Sequence, residues 1–273
     1  MSQKEAVVEH FEHFAEGDKW SRLYDDRTDP VGSYNFVVRQ MRVEELSHPC
    51  VGPGVQVLDV GCGTGVSAPY YIAKGCTYQG IDISPQMVEQ ARQREPNERA
   101  SFAVGDIERG LTLADGRFDL VIALGLLEYL DELDRTAAEL VRVLRPGGTL
   151  IVSVPQRGCF NHVAKTVLSP VITNAWAVVK RLLGRKAERH NVRHRRFTPR
   201  QLDRLFAAHG CTRTGQAYYN LEVLFYPFHR MLPKLSYRIK RRVERHQGSW
   251  MHVFATGYII RCQKGGQIPS PSG

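Results

Sequence analysis

The stretch "VLDVGCGTG", residues 57–65, sets the strongest limit on what this chain folds into. A short apolar run carries the carboxylate of Asp59, and glycines follow at 61, 63 and 65. Glycine tolerates the left-handed backbone of a tight turn, so the pattern reads as a buried strand that turns at once into a helix. From residue 55 onward, β-rich runs alternate with amphipathic helices, as in a parallel sheet covered on both faces. Strands are expected at 55–60, 77–83, 100–104, 118–124 and 149–154, with two more near 211–219 and 251–262. Ser84 caps a helix that begins at Pro85, and Thr198 with Gln201 forms a capping box for another that stops at Gly210. A third helix covers about 131–144 and is stopped by Pro146 and Gly147. The fold class is therefore α/β: a doubly wound, seven-stranded, mostly parallel sheet with helices on both faces.

Residues 4–16 place Val7, Val8, Phe11 and Phe14 on one helical face, and Trp20, Tyr24 and Tyr34 follow, so residues 1–48 read as an N-terminal helical cap. The core, 49–265, carries two segments too long for ordinary connections, 156–197 and 220–247, which read as cap insertions. Residues 266–273 are expected to be disordered. The formal charge of +9 is unevenly placed: residues 180–200 hold nine Lys or Arg against Glu188, and residues 234–245 hold six against Glu244. The rest of the chain sums to −4, so an anionic partner is expected at those two segments. Six scattered cysteines without a C-x-x-C pair, behind a polar and charged start, point to a reduced, cytoplasmic protein. The most apolar uncharged run, 166–179, is shorter than the about 20 residues a spanning helix needs, so no transmembrane segment is expected.

Three readings compete for the glycine turn: a dinucleotide site, a purely structural turn, and a site for a cation. The spacing is G-x-G-x-G and not G-x-G-x-x-G, and a carboxylate near the loop mouth repels pyrophosphate while attracting positive charge. S-adenosylmethionine fits, since it carries a sulfonium and an ammonium and no phosphate. Asp82, at the end of the second strand, suits both ribose hydroxyls. Asp106, after the third strand, suits the exocyclic amine of adenine, with Ile107 against its face. Each acid alone also suits an ordinary strand-end cap, whereas all three at these spacings favour the ligand.

In "VLDVGCGTG", "GIDIS", "GDI", "FDLVIALGLLEYL" and "VLRPGGTLIVSVP", the chain resembles the class I S-adenosylmethionine-dependent methyltransferases. The likeness is to the small-molecule branch that includes the quinone-biosynthesis enzymes. It covers about 55–155 specifically, and "RFTPRQLDRLFAAHGC" more loosely. The resemblance implies a Rossmann-like core in which the backbone of Gly61, Cys62, Gly63 and Gly65 holds the methionine moiety. Asp59 would then face its amino group, directly or through water. Asp82 would bind the ribose, Ile83 and Met87 would flank the adenine, and Asp106 would meet its amine. Leu124 would line the floor beside the sulfonium, and Tyr24 of the cap would close over the methionine end. S-adenosylhomocysteine is the implied product.

Displacement at a sulfonium carbon rests on positioning, with a base added when the acceptor holds its proton tightly. The resembled branch often has Glu-His after the fourth strand; this chain has Glu128-Tyr129, so a histidine base is in doubt. Glu128 or the Tyr129 hydroxyl orients the acceptor, or both are packed helix-start residues. No metal is expected, because His10/His13 and His190/His194 lack a Cys or carboxylate set. The two insertions, basic and apolar, read as lids over the acceptor or as peripheral contacts with an anionic membrane. Their content points to a small, apolar or amphiphilic, lipid-like acceptor with an O, N or C nucleophile. The competing functions are an RNA methyltransferase using residues 180–200, against which no N-P-P-Y motif or RNA-binding module is found, and a non-catalytic cofactor-binding or membrane-associated protein. Oligomeric state is not legible.

Overall fold

In the computed structural model, β1 (Gln56–Val60) runs straight into the glycine turn, where Gly61, Gly63 and Gly65 adopt φ of +78°, +52° and +70°. A side chain at any of the three would be strained in this left-handed region. The structure describes residues 3–27, 29–164, 166–167, 194–224, 228–244 and 249–266. The further strands are β2 (Thr77–Asp82), β3 (Ala100–Val104), β4 (Phe118–Leu124), β5 (Leu144–Pro155), β6 (Cys211–Leu221) and β7 (Ala255–Lys264). They form one sheet in the order β3-β2-β1-β4-β5-β7-β6, with β7 antiparallel to both neighbours. The strand order reverses between β1 and β4, and ligands of open α/β sheets bind at such a switch point, beyond the carboxyl ends of the strands.

Strand alternation divides the core into two layers. Leu58 and Val60 pack toward Val121, Leu140 and Phe206, with α6 (Leu133–Arg142) and α7 (Pro199–Ala207). Val57 faces the other way, into a layer with Tyr71, Tyr78, Leu120 and Ile122, beside α3 (Tyr34–Ser47), α4 (Ala68–Ala73) and α5 (Pro85–Arg94). The cap contributes α1 (Gln3–Ala15) and α2 (Lys19–Arg22), besides α3. In the second insertion, α8 (Phe228–Met231) and α9 (Pro233–Val243) are tied to β6, where the Leu221 N–H donates to Glu244 Oε2 at 3.2 Å.

The expected caps form: Ser84 Oγ accepts from Met87 N at 3.3 Å, and Thr198 and Gln201 bond reciprocally. Two expectations need correction. Residues 144–148 open the long strand β5, where Leu144 pairs with Phe118 before the register shifts, so Pro146 and Gly147 sit within a strand and not at a helix stop alone. Ser249–Phe254 is a 3-10 turn and not the start of the last strand; its run lacks alternation, and Trp250 is exposed. The helix expected over 162–186, most of the arginine-rich 180–200 segment and the tail beyond 266 lie outside the described residues. All six cysteines are free thiols, and among the described residues no helix is long and apolar enough to cross a membrane.

Candidate functional site

The ends of β1, β2, β3 and β4 meet at the switch point and wall a single cavity. Gly61 and Gly63 come from the turn, Asp82 and Ile83 from the end of β2, and Met87 from α5. Asp106 and Ile107 follow β3, Leu124 and Gly125 end β4, and Tyr129 stands in the 3-10 turn Leu127–Tyr129. The fold thus gathers most of the sequence-predicted residues on one surface. Tyr24, Asp59, Cys62, Gly65 and Glu128 are not on it.

Asp82 binds its own chain with both oxygens: Oδ2 accepts from Gly63 N at 2.8 Å and Oδ1 from Ser84 N at 2.9 Å. Each carboxylate oxygen has a further lone pair, so the group can still accept from hydroxyls in the cavity. Burial raises its pKa, against the pull of those N–H donors. Asp106 accepts from Glu108 N at 3.1 Å through Oδ1 and from the Lys4 ammonium at 2.6 Å through Oδ2. A nitrogen donor at this acid is therefore already seated from α1.

The turn itself differs from a phosphate cradle. Gly61 N and Cys62 N donate to Ile81 O, Gly63 N to Asp82, and Gly65 N to Cys62 O. Anion sites at strand–helix junctions need free N–H groups, and the N–H groups of Gly61, Cys62, Gly63 and Gly65 are engaged by the chain itself. Asp59 is also displaced from its expected place at the loop mouth. It points into the layer beneath the sheet, 2% exposed, where its Oδ2 accepts the Tyr78 hydroxyl at 2.6 Å and its Oδ1 has no partner. Burial pushes its carboxyl up to about 7; Tyr78 opposes that shift and the charge of Asp82 adds to it.

Cys62 turns its buried thiol inward, where it donates to Gly63 O at 3.6 Å, and burial holds that thiol well above its ordinary pKa. Gly65 serves packing: a Cβ there would lie 2.9 Å from the Phe102 ring and 3.2 Å from Ala91. Tyr24 accepts a hydrogen bond from Arg39 Nη2 and does not line the cavity. The cap residue over the turn is Trp20, whose Nε1 lies 2.8 Å from where a Gly63 Cβ would be. Phe11 and Lys4 join it on the cavity wall, so α1 and α2 cover the site. Trp20 precedes Tyr24 by one helical turn, which was the available signal for it. The cap thus narrows the cavity that the strand ends wall.

On the β4 side, Glu128 is 6% exposed, and burial pushes its carboxyl up to about 7 with Arg39 pulling the other way. Arg39 reaches from α3 toward Gly125, and its Nη1 lies 2.6 Å from where a Gly125 Cβ would be. Glu128 therefore supports the wall from behind, while Tyr129 forms part of it. Tyr129 packs against the Phe11 and His194 rings at centroid distances of 5.1 and 4.9 Å. Among the described residues no group of three or more His, Cys, Asp or Glu is placed to hold a metal ion.

The donor set suits S-adenosylmethionine: two carboxylates at successive strand ends for hydroxyl and amine donors, with apolar Ile83, Met87 and Ile107 on the same cavity wall. The comparisons agree. A family model described as a methyltransferase domain matches residues 58–152. Demethylmenaquinone methyltransferase of Renibacterium salmoninarum is 36% identical over 58% of this chain and 70% of the relative. Methyltransferase GfsG of Streptomyces halstedii is 37% identical over 53% of each chain, so the match spans about half of that relative's length. The magnesium protoporphyrin IX methyltransferase of Synechocystis, solved with bound SAH, covers 97% of this chain at a TM-score of 0.61 and 19% identity, a likeness of fold. Fold and site define a Rossmann-like protein with a cavity at its switch point. The chain belongs to the S-adenosylmethionine-dependent methyltransferases.

Proposed function

We propose that this chain transfers a methyl group from S-adenosylmethionine to an O, N or C nucleophile of a small, apolar or amphiphilic acceptor. The observation that carries the reading is the meeting of Asp82, Asp106 and the turn glycines with Leu124 and Tyr129 around one cavity. Asp82 would hold the ribose, Asp106 the adenine amine, and Ile83, Met87 and Ile107 its faces. Leu124 and Gly125 would then stand beside the reacting carbon. When bound, the cofactor supplies an electrophilic methyl carbon on a sulfonium. The chain's own residues position the acceptor, exclude water beneath the cap and accept a proton where one must leave.

The acceptor class is drawn from the apolar lining around Phe11, Leu124, Leu126 and Leu130. Relatives point the same way, since their names include a malonyl-[acyl-carrier protein] O-methyltransferase and a phytyl-hydroquinone methyltransferase. A peripheral contact with an anionic membrane accompanies this reading. On α9 and just before it, Met231, Leu232 and Leu235 are exposed apolar residues, and Arg238 and Arg241 are exposed further along the helix. Incubation with labelled methyl donor and separated lipid, metabolite and RNA fractions tests the function. Label in lipid or small metabolites is expected, and label confined to RNA would overturn it.

A further inference from the structure

We propose that the cleft between α3 and α9 is a second small-molecule site, separate from the cofactor cavity, and that it takes a carboxylate carried on an apolar body. The inference goes beyond the methyl-transfer reading and does not rest on it.

One face of each helix builds the cleft. Tyr34, Val37, Val38, Met41 and Arg42 follow the three-four spacing of a single face of α3, and Tyr237 and Arg241 line the opposite side from α9, one turn apart. Asp26 of the cap and Glu244, directly after α9, complete the polar lining. No lining residue is shared with the cofactor cavity at the ends of β1 to β4. The apolar surface is open to a ligand: Met41 is 53% exposed, and the Tyr34 and Tyr237 rings meet edge to face with centroids 5.3 Å apart. Covering such surface with an apolar chain is favourable.

The polar groups left without partners in this cleft are mostly donors. Arg42 Nη1 is held by Glu45 at 2.7 Å and its Nη2 donates to Glu244 O at 3.1 Å, yet its Nε is shielded from solvent without a hydrogen-bond partner. Among the described residues, the Arg241 guanidinium and the Tyr34 and Tyr237 hydroxyls also make no hydrogen bond, and Arg241 forms no ion pair. Burial raises the pKa of the Tyr34 hydroxyl, Glu244 and Tyr237 add to that rise, and Arg42 and Arg241 oppose it, so these groups gather around one phenol. The Glu244 carboxylate is tied to β6, where Oε2 accepts from Leu221 N, and Asp26 is exposed to water.

Shielded donors are nearly always paired, so Arg42 Nε calls for an acceptor. A carboxylate supplies acceptors only, on two oxygens, and suits a guanidinium better than any neutral group does. An ammonium would be repelled by both arginines, and an alcohol would leave the charge of Arg241 unanswered. Since α3 belongs to the cap and α9 to the second insertion, the bound ligand ties these two parts together.

The test uses the whole chain and decanoate as the probe in calorimetric titration, with 1-decanol as the same apolar body without the charge. One decanoate per chain is expected, bound about tenfold more tightly than 1-decanol and with the same affinity when S-adenosylhomocysteine is present. Arg241→Gln should weaken decanoate about fivefold to tenfold and leave 1-decanol within about twofold. Met41→Trp, which fills the cleft, should weaken both at least about tenfold. Should Met41→Trp fail to fold by circular dichroism, Arg241→Gln, at an exposed position, still decides the matter. No saturable binding by the folded wild type, equal affinities for acid and alcohol, or unchanged decanoate affinity in folded Arg241→Gln would overturn the inference. Displacement of decanoate by S-adenosylhomocysteine would place the probe in the cofactor cavity and overturn it as well, leaving the methyl-transfer reading intact.

Discussion

The indole of Trp20 lies directly over Gly63: its Nε1 is 2.8 Å from the position a Cβ on that glycine would take. Cap and glycine turn are therefore in contact through a side chain of the short helix α2 (Lys19–Arg22). Gly63→Ala would add a left-handed alanine, costing about 1–3 kcal/mol, and would push Trp20 aside. Affinity for S-adenosylhomocysteine should fall at least about tenfold and the melting temperature should drop, by calorimetry on the same sample. Trp20→Ala should speed cofactor association in stopped-flow mixing and lower the melting temperature, since the indole packs against the Phe11, Phe14, Tyr24 and Phe36 rings.

Lys4 holds Asp106 and Glu108 at 2.6 and 3.3 Å. If Asp106 receives the adenine amine, that ammonium competes with the ligand. Partly exposed ion pairs are worth about 0.2–1 kcal/mol, so Lys4→Met should tighten S-adenosylmethionine binding by about twofold to fivefold. A weakened affinity would show that Lys4 contacts the ligand and does not compete with it.

Two buried carboxyls make stability depend on pH. Asp59 and Glu128 are each raised by burial to about 7, from ordinary values of 3.8 and 4.5. The folded state then binds more protons than the unfolded state between those values, so stability falls as pH rises from about 4 through 7. The urea midpoint should be higher at pH 5.5 than at pH 7.5, and Asp59→Asn with Glu128→Gln should flatten the difference.

Much of this site was legible as a pattern of strand ends. β3 and β4 fall where the alternation puts them, and Asp82 and Asp106 follow their strands as the spacing requires. The misreading of Asp59 has a simple cause. Side chains alternate across a strand, so an acid between Leu58 and Val60 faces the opposite layer from them, with Val57, and that layer holds Tyr78. The partners of the Gly61, Cys62 and Gly63 amides, Ile81 O and Asp82 Oδ2, carry no local signal because they belong to a strand about twenty residues on. Lys4, Trp20 and Arg39 carry no local motif. Only the packing of the cap across the switch point brings them to Asp106, Gly63 and Gly125.

The exposed side of α9 gives a separate expectation. Vesicles of phosphatidylglycerol should bind the chain and vesicles of phosphatidylcholine should not, with binding lost as salt is raised. Arg238→Glu with Arg241→Glu should abolish sedimentation with the anionic vesicles and leave S-adenosylhomocysteine affinity unchanged. Equal binding to both vesicle types would remove the electrostatic contact.

The most direct check is calorimetric titration of S-adenosylmethionine into the wild type, Asp82→Asn and Asp82→Ala, each verified as folded by circular dichroism. Saturable one-to-one binding by the wild type is expected, weakened about tenfold or more in Asp82→Ala and less in Asp82→Asn, which keeps one hydrogen-bond acceptor. No saturable binding by the folded wild type, or one affinity shared by all three proteins, would contradict the placement of the cofactor at the β1–β4 switch point.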